Sequence, residues 1–435
     1  VSGKIQPPRG KGGTAGKAAK PGPEQAPRGP AKWFSNLEDP SLRGAQINYY
    51  VVLGTTLALT FMGLIMVLSS SSVEAIARNK SPFDDFKKQA LWALVGIACM
   101  VGLQLLPTHK LKKLAWPGLF IALGLLAAVL VFGEEIYGNK NWLLIGGFSI
   151  QPSEFAKVGL ALWAAAIVER KAHLMDQWKH AVIPLVAPGG LAILGLVMIG
   201  KDLGTAMVLM LILAVVMFVG GAPGKLFGIA GGAVGLGLVV AVIVAPTRLG
   251  RVTAWLFGCG DAPPVGGAQD YCYQAKQGIY ALASGGWFGV GLGQSRQKWS
   301  HIPEAQNDFI FAVLGEEMGL LGTLFIVLLY SMLAVAMFRI AVRSKTIFGR
   351  VAVSGIMAWI IGQAFINIGM VIGLLPVIGV PLPFISSGGS ALLATFLGIG
   401  VVLSFAREQR MSKKSLRAQQ GIGKMFSSFR TGKAE

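Results

Sequence analysis

The sequence predicts an all-α polytopic membrane protein of about ten transmembrane helices, with a large extracytoplasmic loop between helices 7 and 8. Three observations carry this expectation. Of the 435 residues, 53% are hydrophobic and only 14% charged, far more apolar than a soluble core of this length requires. Apolar stretches recur at the ~20-residue length a helix needs to cross the hydrocarbon layer. Most of the 39 Lys and Arg residues fall in alternate connecting segments, as expected of cytoplasmic loops.

Residues 1–46 are rich in Pro, Gly, Lys and Ala and cannot bury a core, so they are expected to form a disordered, basic cytoplasmic tail. The membrane domain follows over 47–406. Its expected spans are 47–69, 89–106, 115–133, 154–168, 181–200, 203–219, 226–246, 318–338, 351–376 and 391–406. The fourth is the weakest, because Glu154 and Lys157 must be tolerated inside or at the mouth of the membrane. The first span is expected to act as the insertion signal, with no cleaved leader ahead of it. Residues 407–435 form a second basic cytoplasmic tail, expected to be solvated. The net charge of +19 then attracts anionic membrane lipids. Nucleic acid is excluded as a partner, since no aromatic-interleaved basic domain is present.

The unusual residues gather on the outer side. Residues 247–307 form the large loop, and within it Cys259 and Cys272 are expected to pair as a disulfide outside the reducing cytoplasm. Cys99 lies in an apolar span and is a packing residue. In Gln151-Pro-Ser153-Glu154-Phe-Ala-Lys157, the Glu and Lys stand three positions apart on one helical face, either as a structural ion pair or as a substrate contact. Asp202 in Asp202-Leu-Gly-Thr205 is placed to cap the following helix. Lys276 and Gln277 precede a glycine-rich stretch, Gly289-Val-Gly291-Leu-Gly293-Gln-Ser295-Arg296-Gln-Lys298. Its amides either cradle phosphate or simply allow an irregular loop. Prolines at 376, 381 and 383, before Ser386 and Ser387, interrupt an uncharged stretch, so irregular backbone there is expected to face a cavity. Asp308 stands where the polar loop meets an apolar span, with Glu316 and Glu317 further along. Such carboxylates need a wet cavity or partners.

Together these motifs resemble the SEDS family (shape, elongation, division and sporulation), the membrane peptidoglycan polymerases of bacteria. The resemblance runs over 46–410 and rests on Gln151-Pro-Ser-Glu154 with Lys157, Asp202-Leu-Gly-Thr205, and Pro303-Glu304 followed by Asp308-Phe-Ile-Phe-Ala. Glu316-Glu317 and Pro381-Leu-Pro-Phe-Ile-Ser-Ser-Gly-Gly-Ser390 complete it. Gly291-Leu-Gly293-Gln-Ser295 with Lys298 is closer to the division branch than to the elongation branch. Lys201 departs from the pattern, in which proline commonly precedes the Asp, and the cysteine-bearing loop is commonly absent.

The resemblance implies a glycosyltransferase that joins the disaccharides of lipid II into undecaprenyl diphosphate-linked glycan at the septum of the plasma membrane. Asp308 matches the essential acid, as base for the acceptor hydroxyl or as ligand to a divalent cation, Mg²⁺ or Mn²⁺. Lys157, Lys276, Arg296 and Lys298 are the candidates for holding diphosphate. Gln151, Ser153, Glu154, Asp202, Gln277, Glu304, Ser386 and Ser387 are expected around the substrate. The implied partners are a class B penicillin-binding transpeptidase and other divisome proteins. A lipid-linked precursor transporter would show internal repeats and midplane charges, and a division scaffold would need no carboxylate at 308.

Overall fold

The computed structural model describes residues 42–77, 79, 81–136, 139–244, 246–257, 273–298 and 305–431. The chain opens with α1 (Leu42–Ala77), whose Val52, Leu59 and Met66 are fully buried at seven-residue intervals. Such a repeat keeps one seam of a helix against its neighbours. On the other faces Ile47, Leu57 and Phe61 are exposed, as suits a helix that meets lipid. Next come α2 (Asp84–Leu105), the short α3 (Thr108–Lys113) and α4 (Ala115–Phe132).

A small antiparallel sheet then intervenes, in the order β1 (Glu134–Ile136), β2 (Asn139–Ile145), β3 (Phe148–Ile150). The sequence reading assigned no strands to this segment. The signal was present: Gly146 and Gly147 take φ of 59° and 80° between Ile145 and its partner Phe148, the two-residue turn that closes a hairpin with the right twist.

At the centre stands α5 (Pro152–Arg170), buried along nearly all its length, Glu154 and Lys157 included. It packs on α4, on α8 (Leu203–Val219) and on α13 (Ile347–Val371), and touches α14 (Gly389–Thr431). Between α5 and α8 the expected fifth span is broken into α6 (Trp178–Leu185), a π-turn over Val186–Gly190, and α7 (Leu191–Ile199). Pro184 and Pro188 remove two backbone donors there, which a widened turn accommodates. Beyond α8 lie α9 (Gly224–Val244), α10 (Pro246–Phe257) and α11 (Tyr273–Gly285). Then α12 (Ile310–Val342) packs along α1 and α13.

Among the described residues, six helices are long and apolar enough to cross a membrane: parts of α1 and α14, and α2, α4, α12 and α13. α8, with 17 residues, is shorter, and α5 is interrupted by its charges. The C-terminal segment, expected to be a solvated tail, continues α14 as helix through Thr431. It contains no proline after Pro383 to stop it.

α12 contains a break at Gly319 (φ 68°, ψ −167°), so a short helical part from Ile310 precedes the segment expected as the eighth span. The glycine-rich strap replaces the missing helical bonds. Leu320 and Leu321 donate to the carbonyls of Gly286 and Trp287, while Val290 and Gly291 donate to those of Glu316 and Glu317. A Cβ on Gly319 would lie 2.4 Å from the Gly289 nitrogen, and its backbone region is open almost only to glycine. Gly319→Ala is therefore expected to cost about 1–3 kcal/mol, read as a lowered unfolding temperature of the solubilised protein. Gly124→Ala, which meets nothing within 4 Å, is expected to leave it unchanged.

Candidate functional site

Between α13 and α14 the chain runs without helix from 372 to 388, and Val380 and residues 382–386 are buried. Backbone carbonyls buried outside a helix need donors from elsewhere. Two amides one turn apart on α13 supply them. Gln363 Nε2 donates to the Pro381 carbonyl at 2.8 Å, and Asn367 Nδ2 donates to the Val380 carbonyl at 2.7 Å. From α12 the Tyr330 hydroxyl donates to the Pro383 carbonyl, and from α2 the Gln89 amide donates to the Ser386 carbonyl at 3.3 Å.

Asp308 is built into the same framework, immediately before α12. Asn367 Nδ2 also donates to the Asp308 carbonyl at 2.8 Å. The Asp308 carboxylate reaches Gly379, where a Cβ would lie 3.3 Å from Oδ2. Gly379 takes φ 79°, so both its conformation and its neighbour favour glycine. Ser386 Oγ donates to the Asn307 carbonyl at 2.6 Å and accepts from Leu382 N at 2.7 Å. Ser387 donates its N–H to the Gln306 carbonyl at 2.9 Å. The two serines thus lie against the run leading to Asp308, and their shown bonds are to backbone.

The helix starts of α5 and α8 meet the loop from the other side. Asp202 is the N-cap of α8: Oδ1 accepts from Thr205 N at 2.9 Å, and Oδ2 from Thr205 Oγ1 at 2.7 Å and Gln151 Nε2 at 3.1 Å. This is the capping role its position suggested. Gly204 lets α8 approach the loop, since a Cβ there would lie 3.0 Å from Val380 Cγ2. Lys201 takes φ 64°, which a proline ring cannot adopt, so this junction is built differently from one with proline before the Asp. Gln151 N donates to Ser390 Oγ at 3.1 Å, joining α5 to α14. Ser153 lies elsewhere, on a small cavity of about 10 Å³ with Lys140, Asn141 and apolar neighbours.

Lys157 Nζ is buried between Glu154 Oε1 at 2.6 Å and Gln363 Oε1 at 2.9 Å, with the Trp359 ring 5.6 Å away. Since Gln363 also holds the Pro381 carbonyl, the ion pair reaches the loop through one side chain. Lys298 is likewise committed, donating to Gly293 O at 2.7 Å, Ser69 Oγ at 3.0 Å and Glu317 Oε1 at 3.1 Å. Glu316 accepts from Ser295 Oγ at 2.5 Å, Arg296 N at 2.9 Å and Gln297 N at 3.3 Å. The amides of the glycine-rich stretch therefore serve Glu316 and the broken helix, which favours the irregular-loop reading of that segment.

Lys276 and Gln277 are half-buried on α11, and Arg296 is exposed. Neither the Lys276 nor the Arg296 side chain has a hydrogen bond or ion pair among the described residues. α11 packs on the residue after Asp308: a Cβ on Gly278 would lie 2.7 Å from Phe309 Cε1. Glu304, Cys259 and Cys272 lie outside the described residues. The sequence reading missed Gln363, Asn367 and Gln89. Two amide side chains four residues apart in an apolar helix were the available signal, since polar groups there need partners.

A family model described as "Cell cycle protein", for FtsW, RodA and SpoVE, matches residues 50–411. The chain belongs to the FtsW/RodA/SpoVE family. It is 38% identical over 373 residues to a probable peptidoglycan glycosyltransferase FtsW of Mycobacterium tuberculosis, covering 85% of this chain and 70% of that protein. It is 37% identical over 358 residues to stage V sporulation protein E of Bacillus subtilis, covering 82% and 96%. Its fold is similar to that of a chain solved in work on polymerization and crosslinking by a peptidoglycan synthase complex, with TM-score 0.67, 28% identity and coverage of 83% and 98%. RodA of Thermus thermophilus is also similar, with TM-score 0.59, 28% identity and coverage of 82% and 96%. The helical polytopic fold of this FtsW/RodA/SpoVE member is thus that of RodA.

Breaking one side of the Lys157–Glu154 pair leaves an uncompensated buried charge. Lys157→Met is expected to destabilise by about 3–5 kcal/mol. The double variant Lys157→Met with Glu154→Met is expected to recover most of that loss, measured by chemical or thermal unfolding of the detergent-solubilised protein.

Proposed function

We propose that this chain is a septal peptidoglycan glycosyltransferase that polymerises lipid II and uses Asp308 as its general base. The observation that carries the residue assignment is the placement of Asp308. Its backbone is pinned by Asn367 and its carboxylate lies against Gly379, at the meeting point of α12, α13 and the loop. The relatives named as peptidoglycan glycosyltransferases support the activity.

The reaction needs one proton removed and one leaving group released. The Asp308 carboxylate takes the proton from the acceptor sugar's 4-hydroxyl as that oxygen attacks the donor's anomeric carbon. The anomeric carbon–oxygen bond to diphosphate breaks, and undecaprenyl diphosphate departs with the electron pair. A diphosphate leaves without a general acid, so a second carboxyl group in the manner of a glycosidase is not required. Positive charge near the departing oxygens lowers the barrier. Lys276 and Arg296 are better suited to this than Lys157 and Lys298, because the latter two are already paired with buried carboxylates. Glu154, Gln151, Asp202, Ser386 and Ser387 position the loop and helix starts.

No three His, Cys, Asp or Glu side chains converge as a metal site among the described residues. In the alternative role Asp308 would be a protein ligand to a divalent cation, with substrate phosphates as other ligands, which suits Mg²⁺ or Mn²⁺. That cation would supply charge neutralisation at the leaving diphosphate. In the membrane, ten spans place both tails in the cytoplasm and 247–307 outside. The basic segments and ten apolar segments support this topology. The expected partners are a class B penicillin-binding transpeptidase and divisome proteins. The likeness to a chain of a peptidoglycan synthase complex that coordinates polymerization with crosslinking supports the first.

Purified Asp308→Asn and Asp308→Ala, assayed with lipid II and a transpeptidase partner, are expected to lose at least about 10²-fold in polymerisation while remaining folded. Undiminished product from both would favour a scaffold in which Asp308 has no chemical part.

A further inference from the structure

Where α1 begins and the apolar part of α14 ends, α1 and α12 leave an open groove of about 670 Å³. Its α1 wall is one helical face, with Gln46, Tyr50 and Gly54 stacked a turn apart, and Leu329 and Met332 of α12 line the other side. A Cβ on Gly54 would meet nothing within 4 Å, so this glycine widens the groove. The lining is mostly apolar, with Ile47, Val51, Leu329 and Met332, and its polar groups are Gln46, the Tyr50 hydroxyl and Thr55, whose hydroxyl donates to the Val51 carbonyl.

Arg410 stands beside Tyr50. Its guanidinium carbon is 5.7 Å from the ring centres of both Tyr49 and Tyr50, and Nη1 is 3.4 Å from the Tyr50 hydroxyl. No carboxylate pairs with it among the described residues. Its neighbour Arg407 is already used, donating to the carbonyls of Gln104 and Leu105 at the end of α2. A half-buried cation on an aromatic platform, with its remaining donors open, suits a phosphate.

We infer that this groove is a site for an anionic glycerophospholipid, with its phosphate on Arg410 and one acyl chain lying over Gly54. Charge complementarity selects this occupant, since Arg410 offers its open donors to a phosphate beside a mostly apolar groove. An acyl chain is slender enough to fit lengthwise. The site rests on the membrane placement of α1 and α12 but not on the polymerase reading, and its test is a binding measurement.

The full chain in detergent is titrated with phosphatidylglycerol or phosphatidylcholine of matched acyl chains and followed by native mass spectrometry. The first phosphatidylglycerol is expected to bind about fivefold more tightly than phosphatidylcholine, as one membrane-surface cation provides. Arg410→Gln is expected to remove the preference. Gly54→Leu, which alters no charge, is expected to weaken both lipids, and Met332→Trp fills the same groove from α12 as an independent check. Equal binding of the two lipids by the unmodified chain would overturn the inference. So would a preference surviving Arg410→Gln and both groove-filling variants, which would belong to the basic tail. Unchanged lipid binding with weakened capture of a transmembrane partner in Gly54→Leu would assign the groove to a protein helix.

Discussion

Residues 372–388 take the chain through a buried region without a helix, and a buried carbonyl that finds no donor costs free energy comparable to a lost hydrogen bond. The surrounding helices are arranged to prevent that loss. α13 offers Gln363 and Asn367, α12 offers Tyr330 and α2 offers Gln89, each to a loop carbonyl. Because Asn367 also holds the Asp308 carbonyl, the same amide that satisfies the loop fixes the backbone of the residue proposed as the base.

The buried charges follow the same logic. Taking an ion out of water costs several kcal/mol even after relaxation, unless a partner and further hydrogen bonds compensate. Lys157 has Glu154, Gln363 and the Trp359 ring, and Lys298 has Glu317, Ser69 and a carbonyl. These two lysines are structural ties, one linking α5 to the loop through Gln363 and one linking the glycine-rich strap to α1 and α12. The strap in turn supports the break at Gly319. Arg296 and Lys276, the cations proposed to meet the leaving diphosphate, are exposed and half-buried, where flexibility costs the fold little.

The sequence made the apolar helices legible because their length and composition are dictated by the bilayer, and the ten expected apolar segments are helical over most of their length. It also placed the Asp202 cap and the Glu154–Lys157 pair, since both arise from residues three positions apart on one helix. What it could not show are contacts between distant segments. Nothing local says that Asn367 will meet both Val380 and Asp308, 13 and 59 positions away. The hairpin at Gly146-Gly147 was readable from its turn chemistry. The need of Glu316 and Glu317 for partners was legible, but not that Ser295, Lys298 and the strap amides supply them.

Catalysis by one carboxylate depends on its position more than on its pKa, and a displacement near 1 Å can cost about 10²-fold in rate. The most direct test is the steady-state rate of lipid II polymerisation by Asn367→Ala, with kcat and KM resolved on protein shown to remain folded. If Asn367 is the residue that positions Asp308, kcat falls by about 10²-fold while KM changes little, because Asn367 is a positioning residue outside the expected substrate contacts. An unchanged kcat would contradict the account and free Asp308 from the loop that is said to hold it.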